Sequence, residues 1–311
     1  MSRTAIAKAA QPHHCAATLD APELAFQAPN DLPWGTAAMD RSVFNRFCNV
    51  ARRHAGLEFS DAKLALIAAR VAKRVRALGL SSEEEYVEYL EQAEDSDELV
   101  RFLDAVTTNY TTFFREPDHF ELLTNLLRRR RAAGETRIRI WCAASATGEE
   151  PYTLAITALE ALEPRATRTD VKILATDIST RALSQAMEGS YEATRLTPIP
   201  AELKAKYFSK IDGRYHVKDF VKSLVVFKRL NLAHTPFPMA GPLEAIFCRN
   251  VIMYLGEGVR QRMVLEFQRL IREDGIIVVG HAESLTGLDT LLRVIKPSAY
   301  SLVGKPSKKA G

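Results

Sequence analysis

Two acidic features carry the clearest chemistry in this chain. The first lies in Arg137-Ile-Arg-Ile-Trp-Cys-Ala-Ala-Ser-Ala-Thr-Gly-Glu-Glu-Pro-Tyr152, where an apolar strand candidate passes through small residues into a helix start. Pro151 suits the first helical turn. In doubly wound α/β folds ligands sit where strand ends meet helix starts, so small side chains there let a ligand approach the backbone. A dinucleotide site keeps that helix N-terminus free for a pyrophosphate and usually displays Gly-x-Gly-x-x-Gly. Here one glycine, Gly148, remains, and Glu149 and Glu150 stand where the phosphates would lie. Two carboxylates repel a dianion and favour a cationic ligand, such as the ammonium and sulfonium of S-adenosylmethionine. The competing explanation is that both glutamates only complement the helix dipole, worth roughly 0.3–1 kcal/mol each.

The second feature is Asp177, about 29 residues after Gly148 and just beyond a strand candidate. A carboxylate there can accept both ribose hydroxyls of an adenosine. The alternative role is a helix N-cap. Asp177 argues for adenosine and Glu150 argues against pyrophosphate, with the choice between Glu149 and Glu150 as ligand left open.

Such residues need elements to position them. From Met39 to about Thr112 the pattern is helical: Leu64, Ile67, Val71, Val75 and Leu78 recur every three or four residues, and Gly79 follows where a helix would stop. Ser82 with Glu85 fits a capping box opening the next helix. From Arg137 onward short apolar strands alternate with longer helical stretches, the signature of a parallel sheet covered on both faces. Strands are expected at 138–142, 171–175, 224–227, 243–248 and 276–279, with a final hairpin from 292–295 and 299–303. Helices are expected at 151–162, 180–188 and 258–272. Between the second and third core strands, Asp212-Gly213 is a hairpin turn between β-prone residues, implying a small antiparallel β-subdomain at about 190–224. The fold class is therefore α/β, a doubly wound sheet with an antiparallel insertion, preceded by an all-α N-terminal domain at 38–112. The sheet domain is placed at 113–305, flanked by a flexible extension (1–37) and a tail (306–311).

At 311 residues the chain has room for about two domains. Its 47% apolar and 26% charged residues exclude wholesale disorder, and a net charge of +4 is too slight to argue for nucleic-acid binding. No run approaches the roughly 18 uncharged apolar residues of a membrane span, and no secretion signal opens the chain, so a cytoplasmic protein without membrane insertion is expected. Cys15, Cys48, Cys142 and Cys248 form no CxxC pair and read as small hydrophobes. His13, His14 and Cys15 could hold a metal only adventitiously, and no metal site is expected.

Several segments together resemble the chemotaxis receptor methyltransferases, the CheR family. They are Thr107-Thr-Asn-Tyr-Thr-Thr-Phe-Phe-Arg-Glu116, Ala144-Ser-Ala-Thr-Gly-Glu-Glu-Pro-Tyr152, Thr176-Asp-Ile-Ser179, Asn231-Leu232, Phe247-Cys-Arg-Asn-Val-Ile-Met-Tyr254 and Gly280-His-Ala-Glu283, in the family's order. The resemblance implies a class I methyltransferase sheet, S-adenosylmethionine as cofactor with S-adenosylhomocysteine as product, and methyl transfer to glutamate side chains of chemoreceptors. It also implies that Asn109, Thr111, Arg115, Glu150, Asp177, Asn231, Leu232, Arg249 and Asn250 line the cofactor site, with Tyr254 facing the methyl group. Arg115 and Tyr254 are the expected catalytic pair; their structural alternatives are an ion pair of Arg115 with Glu116 or Asp118, and Tyr254 as packing. Tyr110 departs from the apolar residue the family commonly has there. Arg70, Lys73, Arg74 and Arg76 on the Lys63–Arg76 helix are expected to form a basic face for the acidic cytoplasmic domains of chemoreceptors. The short hairpin at Asp212-Gly213 suggests docking without a receptor-tail peptide. A catalytically silent cofactor-binding scaffold is the alternative function.

Overall fold

The computed structural model describes residues 39–92, 96–163, 169–288 and 291–303; the expected extension, the tail and the His13-His14-Cys15 run lie outside the described residues. Four helices come first: α1 (Arg41–Ala55), α2 (Leu64–Leu78), α3 (Glu83–Gln92) and α4 (Asp97–Val106). Their ends are set by local chemistry. Asp40 caps α1, Gly56 (φ 65°) and Gly79 (φ 68°) end α1 and α2 in the left-handed conformation, and Ser96 caps α4. The capping box of α3 forms one residue wider than its standard spacing: Glu85 N donates to Ser82 Oγ at 3.2 Å, while the Glu85 carboxylate accepts from Ser81 N at 2.8 Å. The apolar stripe of α2 buries Ile67, Val71 and Val75, whereas Leu64 is half-buried and Leu78 is exposed at the helix end.

The chain then runs through α5 (Asp118–Ala132), β1 (Arg137–Cys142), α6 (Glu149–Leu162), β2 (Asp170–Asp177), α7 (Thr180–Glu188), β3 (Ser190–Tyr191), α8 (Ala201–Tyr207), β4 (Phe208–Ile211), β5 (Arg214–Val217) and α9 (Asp219–Lys222). It ends with β6 (Val225–Arg229), β7 (Leu243–Phe247), α10 (Glu257–Leu270), β8 (Ile271–Val278), β9 (Leu292–Lys296) and β10 (Ala299–Leu302). The main sheet has the order β6-β2-β1-β7-β8-β10-β9, with β10 antiparallel to both neighbours and the other pairs parallel. A second sheet, β3-β5-β4, is antiparallel and inserted between β2 and β6. Its hairpin turns on Asp212 (φ 48°) and Gly213 (φ 79°), the paired positive φ values that suit the right-handed twist of a two-residue loop.

Most expected boundaries shift by one or two residues, and one shifts further. The strand expected at 276 begins at Ile271, directly after α10, because the charged Arg272, Glu273 and Asp274 occupy its outer end and mask it in the sequence. There Arg130 pairs with Asp274 at 2.5 Å and Arg272 with Asp274 at 3.0 Å, so polar residues finish a strand whose apolar half lies in the core.

Two apolar layers flank the sheet. One joins Phe44, Ile67 and Phe102 of the N-terminal helices to Trp141, Ile246, Phe267 and Ile277; the other packs Leu123 and Leu127 of α5 and Leu154 of α6 on Ile140, Ile173 and Phe247. Cys48, Cys142 and Cys248 are free and buried. Strand order reverses between β1 and β7, which opens a crevice at their C-terminal ends.

Candidate functional site

A cavity of about 1070 Å³, counted with its open mouth, occupies that crevice. The segment after β1 supplies Ala143, Ala144 and Ala146, the end of β2 supplies Asp177, the segment after β6 supplies Asn231 and Leu232, and the segment after β7 supplies Arg249, Asn250 and Tyr254. Asn109, Thr111 and Arg115 enter from the segment between α4 and α5, and Lys63, Leu66 and Ile67 border it from the start of α2. All ten residues expected at the cofactor or the reacting centre thus line one pocket. The surrounding backbone is strained: Phe114, Glu116, Ala146 and Asn250 hold φ values of 54°, 58°, 45° and 58°, conformations that persist only where neighbours enforce them. Gly148 (φ 97°) admits no side chain, since a Cβ there would lie 2.7 Å from the Tyr191 hydroxyl.

Asp177 is buried, and each carboxylate oxygen accepts one backbone N–H, from Ser179 at 2.9 Å and from Ala146 at 2.8 Å. Burial raises its pKa against those hydrogen bonds. The cap of α7 is Ser179, which accepts from Ala182 N, so the N-cap role weighed for Asp177 belongs to its neighbour. Asn109 Nδ2 donates to the same Ser179 hydroxyl at 3.2 Å.

The adjacent glutamates part company. Glu149 turns into the protein, where Thr147 donates to its Oε2 at 2.6 Å and Arg195 approaches at 3.5 Å; burial raises its pKa. Glu150 lines the pocket, but not as a bare anion. Arg249 Nη1 donates to Glu150 Oε2 at 2.6 Å, and Arg249 Nη2 donates to Glu116 Oε2 at 2.8 Å and to the Arg115 carbonyl at 2.5 Å. Burial works against the Arg249 charge, yet the two carboxylates outweigh it and raise its pKa further. The sequence-based charge argument is corrected accordingly: Glu150 and Arg249 neutralise one another, and Asp177 is the pocket carboxylate without a cationic partner among the described residues. Arg115, by contrast, is held loosely, with Nη1 3.4 Å from the Tyr110 carbonyl and Nε 3.9 Å from Glu116. Asn231 bridges to the helical layer by donating to the His54 carbonyl at 2.6 Å, and Glu58 N donates to the Tyr254 carbonyl at 2.8 Å.

Sequence reasoning missed the support beneath these residues. The carboxylate of Glu283 accepts backbone N–H groups from Asn250, Ile252 and Gly280 at 2.7 Å and Met253 at 3.3 Å. It therefore anchors the whole loop bearing Arg249, Asn250 and Tyr254. A Cβ at Gly280 would lie 2.4 Å from Asn250 Nδ2 and 2.9 Å from Glu283 Oε2, so a larger residue there would have to displace both side chains. The Gly280-His-Ala-Glu283 motif was the available signal. Glu116, His119 and His281 also come within 4.8 Å of one another, although no metal-ligating set was expected. Burial and the nearby Arg249 cation lower the His119 pKa to about 4, keeping the ring neutral.

The expected basic face of α2 is smaller than its four cations suggest. Arg70 donates to the Val106 and Thr107 carbonyls at 2.9 and 3.0 Å, and Arg74 forms a two-pronged pair with Glu98 at 2.9 and 2.6 Å. Lys73 and Arg76, together with Lys63 at the pocket rim, are exposed.

Comparison with known proteins matches residues 109–301 to the CheR methyltransferase SAM-binding domain and residues 42–107 to the CheR methyltransferase all-alpha domain. A chemotaxis protein methyltransferase of Borreliella burgdorferi is 35% identical over 84% of this chain and 94% of its own length. Chemotaxis protein methyltransferase 2 of Pseudomonas aeruginosa is 38% identical over 80% of this chain and 89% of its own. The chemotaxis protein methyltransferase of Salmonella typhimurium is 35% identical over 85% of this chain and 91% of its own. The chain belongs to the CheR methyltransferase family and is an S-adenosylmethionine-dependent methyltransferase.

Proposed function

We propose that this protein transfers the methyl group of S-adenosylmethionine to glutamate side chains of methyl-accepting chemotaxis receptors, producing glutamate methyl esters and S-adenosylhomocysteine. The observation that carries this reading is the convergence of Asn109, Thr111, Arg115, Glu150, Asp177, Asn231, Leu232, Arg249, Asn250 and Tyr254 on one pocket at the sheet's switch point. The donor set fits the cofactor. Asp177 is a buried acceptor for ribose hydroxyls, the three alanines leave room beside the backbone, and Leu232 offers apolar surface for a purine. Bound S-adenosylmethionine supplies an electrophilic methyl group on a sulfonium.

A glutamate carboxylate, with an ordinary pKa of about 4.3, is already ionised at neutral pH and needs no general base. Placement is then the enzyme's main contribution. The loosely held Arg115 guanidinium can orient a carboxylate through its planar fork of donors, and the Tyr254 hydroxyl can steer the attacking group. Glu283 keeps Tyr254 in place through the backbone of its loop. Lys63 at the pocket rim and the exposed Lys73 and Arg76 further along α2 give this helix positive charge suited to an acidic receptor helix, and opposite potentials would steer and align the pair. No helix among the described residues is long and apolar enough to cross a membrane, which accords with action on receptor cytoplasmic domains from the cytoplasm.

The test is incorporation of a tritiated methyl group into receptor-containing membranes. Label released as methanol by mild alkali is expected, because esters hydrolyse where N-methyl groups persist. Alkali-stable label would overturn the glutamate assignment, and cofactor binding without transfer would identify a silent scaffold.

A further inference from the structure

Beside the pocket, on the far side of Arg249, the start of α5 meets the loop after β8. The ring nitrogens of His119 and His281 and a Glu116 carboxylate oxygen gather there within 4.8 Å, and Asp118 oxygens lie 3.1 and 3.2 Å from His281 Nε2. The buried ring identifies what is missing. Ser298 Oγ lies 2.7 Å from the Pro297 carbonyl and 2.9 Å from His119 Nε2; with its proton on that carbonyl it accepts from Nε2–H. In that tautomer His119 Nδ1 holds a lone pair. That atom is buried, on a residue 2% exposed, and has no hydrogen-bond partner among the described residues. What it faces is another electron-rich atom, Glu116 Oε2, at 3.3 Å. Two acceptors so placed repel one another unless a cation binds both.

The spacing suits a particular cation. Ligand atoms on a tetrahedral zinc, with bonds of about 2.0–2.1 Å, lie about 3.3 Å apart along an edge. The outward His119 Nε2–H bond to Ser298 is the kind of secondary contact that fixes the tautomer of a metal-bound imidazole. Arg249 adds positive charge nearby, but Glu150 holds it at 2.6 Å on its other side, and Glu116 and Asp118 bring two carboxylates to the cluster.

We propose that Glu116, His119 and His281, with Asp118 at the rim, form a binding site for a divalent transition-metal cation of the zinc class. Imidazole with carboxylate suits zinc, whereas magnesium prefers an all-oxygen octahedron. Glu116 Oε2 already accepts from Arg249 Nη2 at 2.8 Å and from His281 N at 3.2 Å, so the ion would share this oxygen with them and adjoin the pocket wall without occupying the pocket. The site stands independently of which acceptor is methylated.

Zinc titration of the chelator-treated full-length chain against a chromophoric competitor tests this. His13→Ala, His14→Ala and Cys15→Ser are introduced as a common background, because that run is a second source of ligands. One equivalent of zinc is expected in this background, with affinity at least tenfold weaker after His281→Ala. His281 is exposed, so the variant should fold normally, and its thermal midpoint without metal checks this. The parent chain should show tetrahedral cobalt absorption bands, and His119→Gln should abolish them. No bound equivalent in the background chain, equal affinities with and without His281, or displacement of zinc by equimolar magnesium would each overturn the assignment.

Discussion

Replacing Glu283 with glutamine should loosen the reacting-centre loop without touching any pocket side chain. In the native protein Oε1 accepts from Ile252 N at 2.7 Å and Met253 N at 3.3 Å, while Oε2 accepts from Asn250 N and Gly280 N at 2.7 Å. Glutamine can set its carbonyl oxygen on only one of these sides. Its amide nitrogen then confronts two backbone donors on the other, at a residue only 8% exposed. Hydrogen bonds to a charged group contribute about 1.5–3 kcal/mol each, and a buried donor left without an acceptor costs about 1–3 kcal/mol. Allowing for relaxation of the loop, a destabilisation of about 3–5 kcal/mol is expected, a large share of the roughly 5–15 kcal/mol typical of a folded protein. Denaturant unfolding measures that loss. Calorimetry with S-adenosylmethionine should show affinity at least tenfold weaker, because Asn250 can no longer be held at φ 58°. A Glu283→Gln chain that unfolds within about 0.5 kcal/mol of wild type, the range of a neutral surface change, and binds the cofactor normally would refute the anchoring argument.

Asp177→Ala should raise the dissociation constant for S-adenosylmethionine by calorimetry at least tenfold; an unchanged constant would remove its ribose role. Burial raises the Asp177 pKa, and the ionised form is the acceptor, so cofactor affinity should fall on acidification beginning above the ordinary aspartate range near 3.9. Arg115→Ala and Tyr254→Phe should each lower the turnover of methyl transfer more than tenfold while weakening cofactor binding far less; unchanged turnover in both would take them out of the chemistry. Reversing Lys73 and Arg76 to glutamate should slow receptor methylation several-fold at low salt with cofactor affinity unaltered, and a null result would leave α2 as a solvated face.

The fold was legible because its elements announce themselves locally. The period of α2, the left-handed Gly79 and the Asp212-Gly213 turn each depend on residues a few positions apart. The start of β8 was hidden because Arg272 and Asp274 satisfy their charges through Glu135 and Arg130, far away in the chain, which no window around them contains. The site divides the same way. The ten residues that the family resemblance implies for the site sit in short motifs at strand ends or segment junctions, and the topology delivers those ends to one crevice. Their pairings were not readable. Glu150 and Arg249 are 99 residues apart, and the spacing of Arg70 and Arg74 along α2 does not reveal that carbonyls of the next segment and Glu98 absorb them.

The Glu150–Arg249 pair also alters the electrostatic argument in a way that bears on the substrate. Counted from sequence, the first strand–helix turn presents two carboxylates, and that density favours a sulfonium over a pyrophosphate. A glutamate acceptor, however, must bring a third carboxylate to the same place. At about 6 Å and an effective dielectric constant of about 20, each bare glutamate would oppose it by about 3 kcal/mol. Arg249 lowers that barrier by pairing with Glu150, although its second contact, to Glu116, leaves the trio with one negative charge in excess, and Glu149 is withdrawn onto Thr147 and Arg195. In the proposed reaction Asp177, at the end of β2 and without a cationic partner among the described residues, would serve the adenosine side of the pocket, and the loosely held Arg115 would meet the incoming anion. The guanidinium that cancels the simplest argument for a cationic cofactor would thus, in the proposed reaction, ease the approach of an anionic acceptor.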